Sequence, residues 1–151
     1  MTPRIDHKAL QPRSAAAMNR LDASVELDPV LRELVNLRAS QINGCAFCID
    51  MHTKDARAAG ETEQRIYALD AWRETPFYTE RERAALALTE AVTFVADGHV
   101  PDDVYRAAAE VFKDAELAAL IWAAIVINTY NRIAIATRMQ PGTYQPRPKT
   151  A

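Results

Sequence analysis

An all-α fold of six or seven helices is what this 151-residue chain predicts, and three observations carry the prediction. Apolar residues recur at spacings of three and four along most of the chain, while strict two-residue alternation is nearly absent, which is the period of a helix and not of a strand. Only four glycines are present, too few for an all-β architecture with glycine at every turn, and alanine, the strongest helix former, is abundant. Helix start and stop signals then punctuate the periodic stretches from one end to the other.

The first helix is expected from about Ser14 to Val25. Asp28 and Pro29 supply an N-cap and a first-turn proline for a second helix that ends near Ile42, where Asn43-Gly44 breaks it. A third helix begins around Cys45, places the Cys45-Ala46-Phe47-Cys48 pair on its first turn, and stops at Gly60, a residue suited to a left-handed cap. Thr62 to Trp72 forms a short helix and Pro76 marks a turn. Thr79 and Glu82 form a capping box for a helix reaching about Ala96, ended by Asp97-Gly98-His99. Pro101 with Asp102 opens a helix to Phe112, and Asp114 caps a long alanine-rich helix continuing to about Arg138. The tail from Pro141 is proline-rich and expected to be extended. No fixed-period repeat or interdomain linker divides the sequence, so residues 1–151 are expected to form one domain with its core at about 27–138.

Lysine and arginine number 18 against 20 acidic residues, and neither sign forms a block. That balance gives no basic footprint for a phosphate backbone, so nucleic acid is not an expected partner. The N-terminus, Met1 to His7, lacks the apolar segment of a secretory signal. The most apolar stretch, Leu117 to Ile127, falls short of a bilayer span and runs into Asn128, Asn131 and Arg132, so it is expected to be a buried core helix. The expectation is a cytoplasmic protein without a membrane partner. Trp72, Trp122, Phe94 and Phe112 are expected in the core or a subunit interface. Asn128, Asn131 and Arg132 are read as buried polar groups that bond one another.

The two cysteines both fall in one C-x-x-C, which in a reducing compartment signals redox or metal chemistry more often than a staple. At 3.6 residues per turn, positions 45, 48 and 52 project from one side of a helix, so two sulfurs and the His52 imidazole share a face. Helix N-terminal amides stabilise a thiolate, which alone favours Cys45 as the nucleophile. His52, however, is four residues from Cys48 and seven from Cys45, and the nearer sulfur is therefore assigned as nucleophile. Oxidation of Cys48 to a sulfenic acid would let Cys45 condense with it to a disulfide. An i,i+3 helical pair holds its β-carbons about 5–6 Å apart, so that disulfide is expected to distort the first turn and to be readily reduced. Glu33 lies at the edge of the apolar stripe Val30, Leu31, Leu34, Leu37 and Arg38, where it would be partly buried and could face the next helix as a base.

Glu33, the Asn43-Gly44 break, Cys45-Ala46-Phe47-Cys48, His52 and the following Ala58-Ala59-Gly60 together resemble the core motif of the AhpD-like alkylhydroperoxidase and carboxymuconolactone decarboxylase superfamily. The resemblance covers about Leu27 to Arg138 and is strongest between Glu33 and Gly60. It implies an all-helical fold, a homo-oligomer that is commonly a trimer or hexamer, and reduction of hydroperoxides at the expense of a dithiol protein or small thiol, without a cofactor. Carried onto matching positions, it implies Cys48 as the peroxidatic residue, Cys45 as the resolving one, and Glu33 with His52 as a proton relay. Phe47 departs from the pattern, since the best-characterised peroxidase branch has a histidine there that joins its relay. The decarboxylase branch generally lacks the cysteine pair, so lactone chemistry is not expected.

Other readings compete with a peroxidase. Two thiolates and an imidazole are zinc ligands, but a structural zinc needs a fourth, and His7 and His99 are remote. The dithiol could also belong to a sensor that oxidises once without turnover, to a disulfide oxidoreductase of the same superfamily, or to a relative acting on a small organic acid.

Overall fold

Residues 2–146, which this computed structural model describes, form eight α-helices and one 3-10 helix, with no strand among them. Met1 and residues 147–151 lie outside that description, and with them the far end of the anticipated proline-rich tail. In chain order the elements are α1 (His7–Leu10), α2 (Pro12–Ala23), α3 (Pro29–Asn43), α4 (Ala46–Ala59), α5 (Glu63–Ala68), the 3-10 helix (Leu69–Glu74), α6 (Glu80–Thr93), α7 (Asp102–Val111) and α8 (Asp114–Thr137).

The punctuation residues do what their chemistry predicts. The Asp28 carboxylate accepts the Leu31 amide at 3.0 Å with Pro29 as the first helical residue. Gly44 ends α3 at φ 66° and Gly60 ends α4 at φ 105°, both in the left-handed region. The Thr79–Glu82 box closes in both directions, at 3.2 and 2.7 Å.

Five details differ from expectation. The Asp6 carboxylate caps an additional helical turn, α1, and Pro12 starts α2 earlier than Ser14. The Thr62–Trp72 helix is two pieces, because Ala71 leaves helical geometry at φ −108°, ψ 29°. Asp114 is the first residue of α8 and not its cap; that place belongs to Lys113, whose amide is accepted by Glu116 at 3.2 Å. The helix expected to reach Ala96 stops at Thr93, and the Asp97 amide turns back to the Phe94 carbonyl at 2.6 Å.

The middle of the assembly is α3, which packs against α4, α6 and α8. Leu31, Leu34, Val35, Leu37, Ala39 and Ser40 are all buried along it. Each fully buried leucine there stabilises the fold by about 1.5–3 kcal/mol relative to an exposed one. On one side Leu34 and Leu37 join Ala56, Ile66, Leu69, Trp72, Tyr78 and Leu86. On another, Leu31 and Val35 meet Leu88, Phe112, Leu117 and Leu120. A buried carboxylate, Glu90, clamps α3 to its neighbours by accepting Arg38 Nε at 2.7 Å and Trp72 Nε1 at 2.8 Å.

At 24 residues and mean hydropathy 1.4, α8 as a whole is, by length and composition only, long and apolar enough to cross a membrane, although its Leu117 to Ile127 stretch alone is too short. The helix gains its length by continuing through Asn128, Asn131 and Arg132, whose polar groups hydrogen-bond within the protein. Leu117, Leu120, Ala123, Ala124 and Ile127 pack in the interior. Trp72 and Phe112 are core residues as expected, whereas Trp122 and Phe94 are about half exposed, at 49% and 51%.

Candidate active site

The site is built by the reversal between α3 and α4. Once Gly44 takes the left-handed conformation, the Cys45 amide bonds back to the Ser40 carbonyl at 3.0 Å, and α4 returns along α3. Cys45 is therefore not on the first helical turn but at the N-cap of α4, with extended backbone at φ −83°, ψ 92°. That single residue of difference matters. An extended N-cap swings its side chain over the helix start, so the two sulfurs lie 2.8 Å apart as free thiols instead of at helical i,i+3 separation. The expected distortion assumes two helical cysteines, and the first is not helical to begin with.

Both sulfurs are almost inaccessible, at 1% exposure each, and sit among Ala39, Ile127 and Ala134 with Phe47, Tyr130 and Met139 around them. The Cys45 thiol is lowered from 9.0 to about 7. Its largest stabilisation is the hydrogen bond from the Cys48 thiol; burial opposes it, and the Cys48 backbone amide, the Asn131 side chain and the charge of His52 add to it. The amide of Cys48 is the third in α4 and favours the Cys45 thiolate without making a capping hydrogen bond to it. The Cys48 thiol is correspondingly pushed up, first because it gives its proton to Cys45, then by burial and by the neighbouring charge of Cys45. Of the two hydrogen-bonded thiols, Cys45 is thus the more acidic. Spacing from His52 favours a thiolate on Cys48, whereas the hydrogen bond between the two sulfurs favours one on Cys45.

On the next turn His52, 7% exposed, meets Glu33 of α3, Nδ1 to Oε2 at 2.9 Å. The carboxylate is partly buried at the edge of the α3 apolar stripe, as its position suggests. With Nδ1–H donating to Glu33, Nε2 is the nitrogen free to exchange a proton. Among the described residues no direct hydrogen bond joins the His52 ring to either sulfur.

Two features lie beyond the reach of sequence reasoning. Asp55, one turn beyond His52, accepts the Tyr144 hydroxyl at 2.7 and 3.0 Å. Burial raises its pKa, the Tyr144 hydrogen bond lowers it, and the charge of Glu33 raises it further. The segment around Tyr144 is strapped onto α4: the Gly142 amide donates to Asp50 at 2.9 Å, and Lys54 Nζ donates to the Tyr144 carbonyl at 3.1 Å. Glu33, His52 and Asp55 offer ligand atoms within 4.8 Å of one another, so they, and not the two sulfurs with His52, are the group among the described residues that could surround a cation. The other feature is Asn131, fully buried on α8 beside both sulfurs. Sequence groups it with Asn128 and Arg132 as ordinary buried polarity, and nothing in a lone helical asparagine distinguishes the two cases.

Comparison with known proteins gives this geometry its relatives. A profile of the carboxymuconolactone decarboxylase family matches residues 12–91, which include Glu33, both cysteines, His52 and Asp55. Protein YdfG of Bacillus subtilis (strain 168) is 42% identical over 139 residues, covering 90% of this chain and 95% of that protein. Protein YnjA of Escherichia coli (strain K12) is 33% identical over 99 residues, 63% of this chain and 53% of that protein. Among solved structures, a protein of unknown function from Agrobacterium tumefaciens, named for AhpD-type antioxidant defence, is 40% identical with TM-score 0.91, covering 95% of this chain and 100% of that one. A peroxidase-related protein with an alkylhydroperoxidase AhpD core from Ralstonia eutropha JMP134 is 19% identical with TM-score 0.79, covering 90% and 74%, and shares the fold.

Proposed function

Because this chain belongs to the carboxymuconolactone decarboxylase family and has the AhpD-like fold, we propose that it is a thiol-dependent hydroperoxide reductase whose redox centre is the Cys45–Cys48 pair. The observation that carries this reading is the contact of two buried free thiols at 2.8 Å, one turn from a Glu33–His52 pair.

In the reaction Cys48 is the attacking sulfur and Cys45 the resolving one. As Cys48 attacks, its proton moves across the short contact to the Cys45 thiolate. The Cys48 sulfur forms a bond to the terminal peroxide oxygen, the O–O bond breaks, and the electron pair leaves on the alkoxide or hydroxide. His52, protonated and oriented by Glu33, gives that oxygen its proton. A histidine that is not hydrogen-bonded to the sulfur suits this task, since the substrate oxygen has to fit between ring and thiol. Cys45, deprotonated back to His52, then attacks the Cys48 sulfenic sulfur; the S–S bond forms and hydroxide departs with the proton as water. Two thiols and a hydroperoxide become a disulfide, an alcohol and water, and an external dithiol restores the pair.

The test is steady-state consumption of an alkyl hydroperoxide with a supplied dithiol. Wild type should turn over and Cys48→Ser should not. Cys45→Ser should consume about one equivalent and stop, leaving a trappable sulfenic acid on Cys48. A single oxidation of wild type without turnover would favour the sensor; first-turnover activity in Cys48→Ser would make Cys45 the attacking sulfur.

A further inference from the structure

We propose that Asn131 is a polarity-locked hydrogen-bond donor to the dithiol, which sets the charge state the two sulfurs prefer. It rests on the reading above only in taking the reduced pair as the working state.

A side-chain amide can present its NH2 or its oxygen to a neighbour, and the two have opposite effects on a thiolate. Here the hydrogen-bond pattern permits one choice. Ser40 Oγ donates its hydrogen to the Asn36 carbonyl at 2.7 Å, and a carbonyl only accepts. Ser40 Oγ therefore has to accept from Asn131 Nδ2, at 3.0 Å. From the other side, Asn43 Nδ2 donates to the Ala39 carbonyl at 3.0 Å, which fixes that amide as a donor, and it also reaches Asn131 Oδ1 at 2.9 Å. Two backbone carbonyls thus dictate that the Asn131 oxygen is occupied by Asn43 and its nitrogen is turned to Ser40, on the side of the cysteine pair.

The location agrees. Ile127 and Ala134 of α8 pack directly on Cys45 and Cys48, and Asn131 lies between them on the same helical face with no exposed surface. Ser40, its other partner, holds the Cys45 amide through its carbonyl, so the donor and the sulfur are registered by one residue. The same contact lowers the pKa of both thiols. The other titratable groups near the pair are His52 on α4, with Glu33 behind it on α3, and Tyr130 on α8; the Arg132 guanidinium is occupied by the Asn128 carbonyl and side-chain oxygen. Asn131 is thereby the fixed dipole that α8 contributes to the sulfurs.

The experiment is a pH titration of the thiolate ultraviolet absorbance of the reduced protein, which needs neither peroxide nor reagent access. Asn131→Leu, close in shape but unable to donate, should raise the first thiol midpoint so that proton affinity increases about tenfold or more, the size of one hydrogen bond to a charged group. Asn131→Asp keeps an oxygen for Asn43 and faces the sulfurs with a second acceptor, so it should raise the midpoint further and guards against Asn131→Leu failing to fold. The reduction potential of the pair should fall in the folded variants, because the reduced form loses a stabilising contact that the disulfide barely uses. An unmoved midpoint in Asn131→Asp would overturn the proposal and leave Asn131 a packing residue. A moved midpoint in a protein whose wild type fails to reduce peroxides would sustain it while removing the peroxidase reading.

Discussion

Replacing Cys48 by alanine should undo most of what makes Cys45 acidic, and the size of the effect follows from the geometry. The Cys48 thiol hydrogen bond is the largest of the influences that bring Cys45 from 9.0 to about 7. Without it, burial is opposed only by the Cys48-position backbone amide, Asn131 and His52, and the midpoint should return most of the way to the ordinary value. At pH 7 the thiolate fraction would fall from about one half to about one in a hundred, roughly fiftyfold, and reactions through that thiolate should slow by up to the same factor. Cys48→Ser keeps a hydroxyl donor near the same place and should hold the midpoint close to 7. The assay is the single-thiol titration of each variant by thiolate absorbance, read with the alkylation rate of Cys45 against pH. If Cys48→Ala and Cys48→Ser titrate alike near pH 7, the shared proton is not what acidifies Cys45, and the helix start and Asn131 carry the whole effect.

Three further outcomes are expected. Glu33→Gln and His52→Ala should each slow peroxide reduction by on the order of 10²–10⁴, and the double variant should lose far less than the product because both serve one proton path; strict multiplicativity would refute the coupling. The reduced protein should gain stability as pH rises from about 7 to about 9, because a depressed folded-state thiol pKa contributes fully above the unfolded value and is lost as pH falls through the folded one. The gain is on the order of 2 kcal/mol, is measurable by urea unfolding, and should vanish in Cys45→Ala; Cys48, raised in the folded state, works against it only above its unfolded value. Gly44→Ala should destabilise the fold by about 1–2 kcal/mol for its left-handed φ alone, since a β-carbon there meets nothing within 4 Å; a loss well beyond that would mean the α3–α4 reversal itself is disturbed.

How much of this is legible in the sequence depends on how far each contact reaches along the chain. Glu33, Cys45, Cys48 and His52 lie on one helix, turn and helix, so helical period and the Asn43-Gly44 break are enough to bring them together. What fails is a boundary: whether Cys45 is the last residue before α4 or the first within it decides whether its sulfur stands at helical i,i+3 separation or in contact with Cys48. Sequence signals fix helix ends only to a residue or two. Asn131 and Tyr144 are illegible for another reason. Each reaches the site through tertiary packing, and an asparagine in an apolar helix or a tyrosine in a tail carries no local mark of its partner. Trp122 and Phe94 lie half exposed on the single chain, and helical spacing identifies a face without saying whether core or a subunit interface lies against it.

The separation of these contacts along the chain also orders their assembly. The Glu33–His52 pair spans 19 residues and closes within a helical hairpin, whereas Asn131 meets Ser40 across 91 residues and needs α8 docked. Short loops close early and long ones late. A nascent or partly unfolded chain would therefore close its Glu33–His52 pair before α8 covers the thiols and brings Asn131 to Ser40, and in that interval the thiols are open to indiscriminate oxidation. Late docking of α8 is the step that turns two ordinary cysteines into a guarded couple.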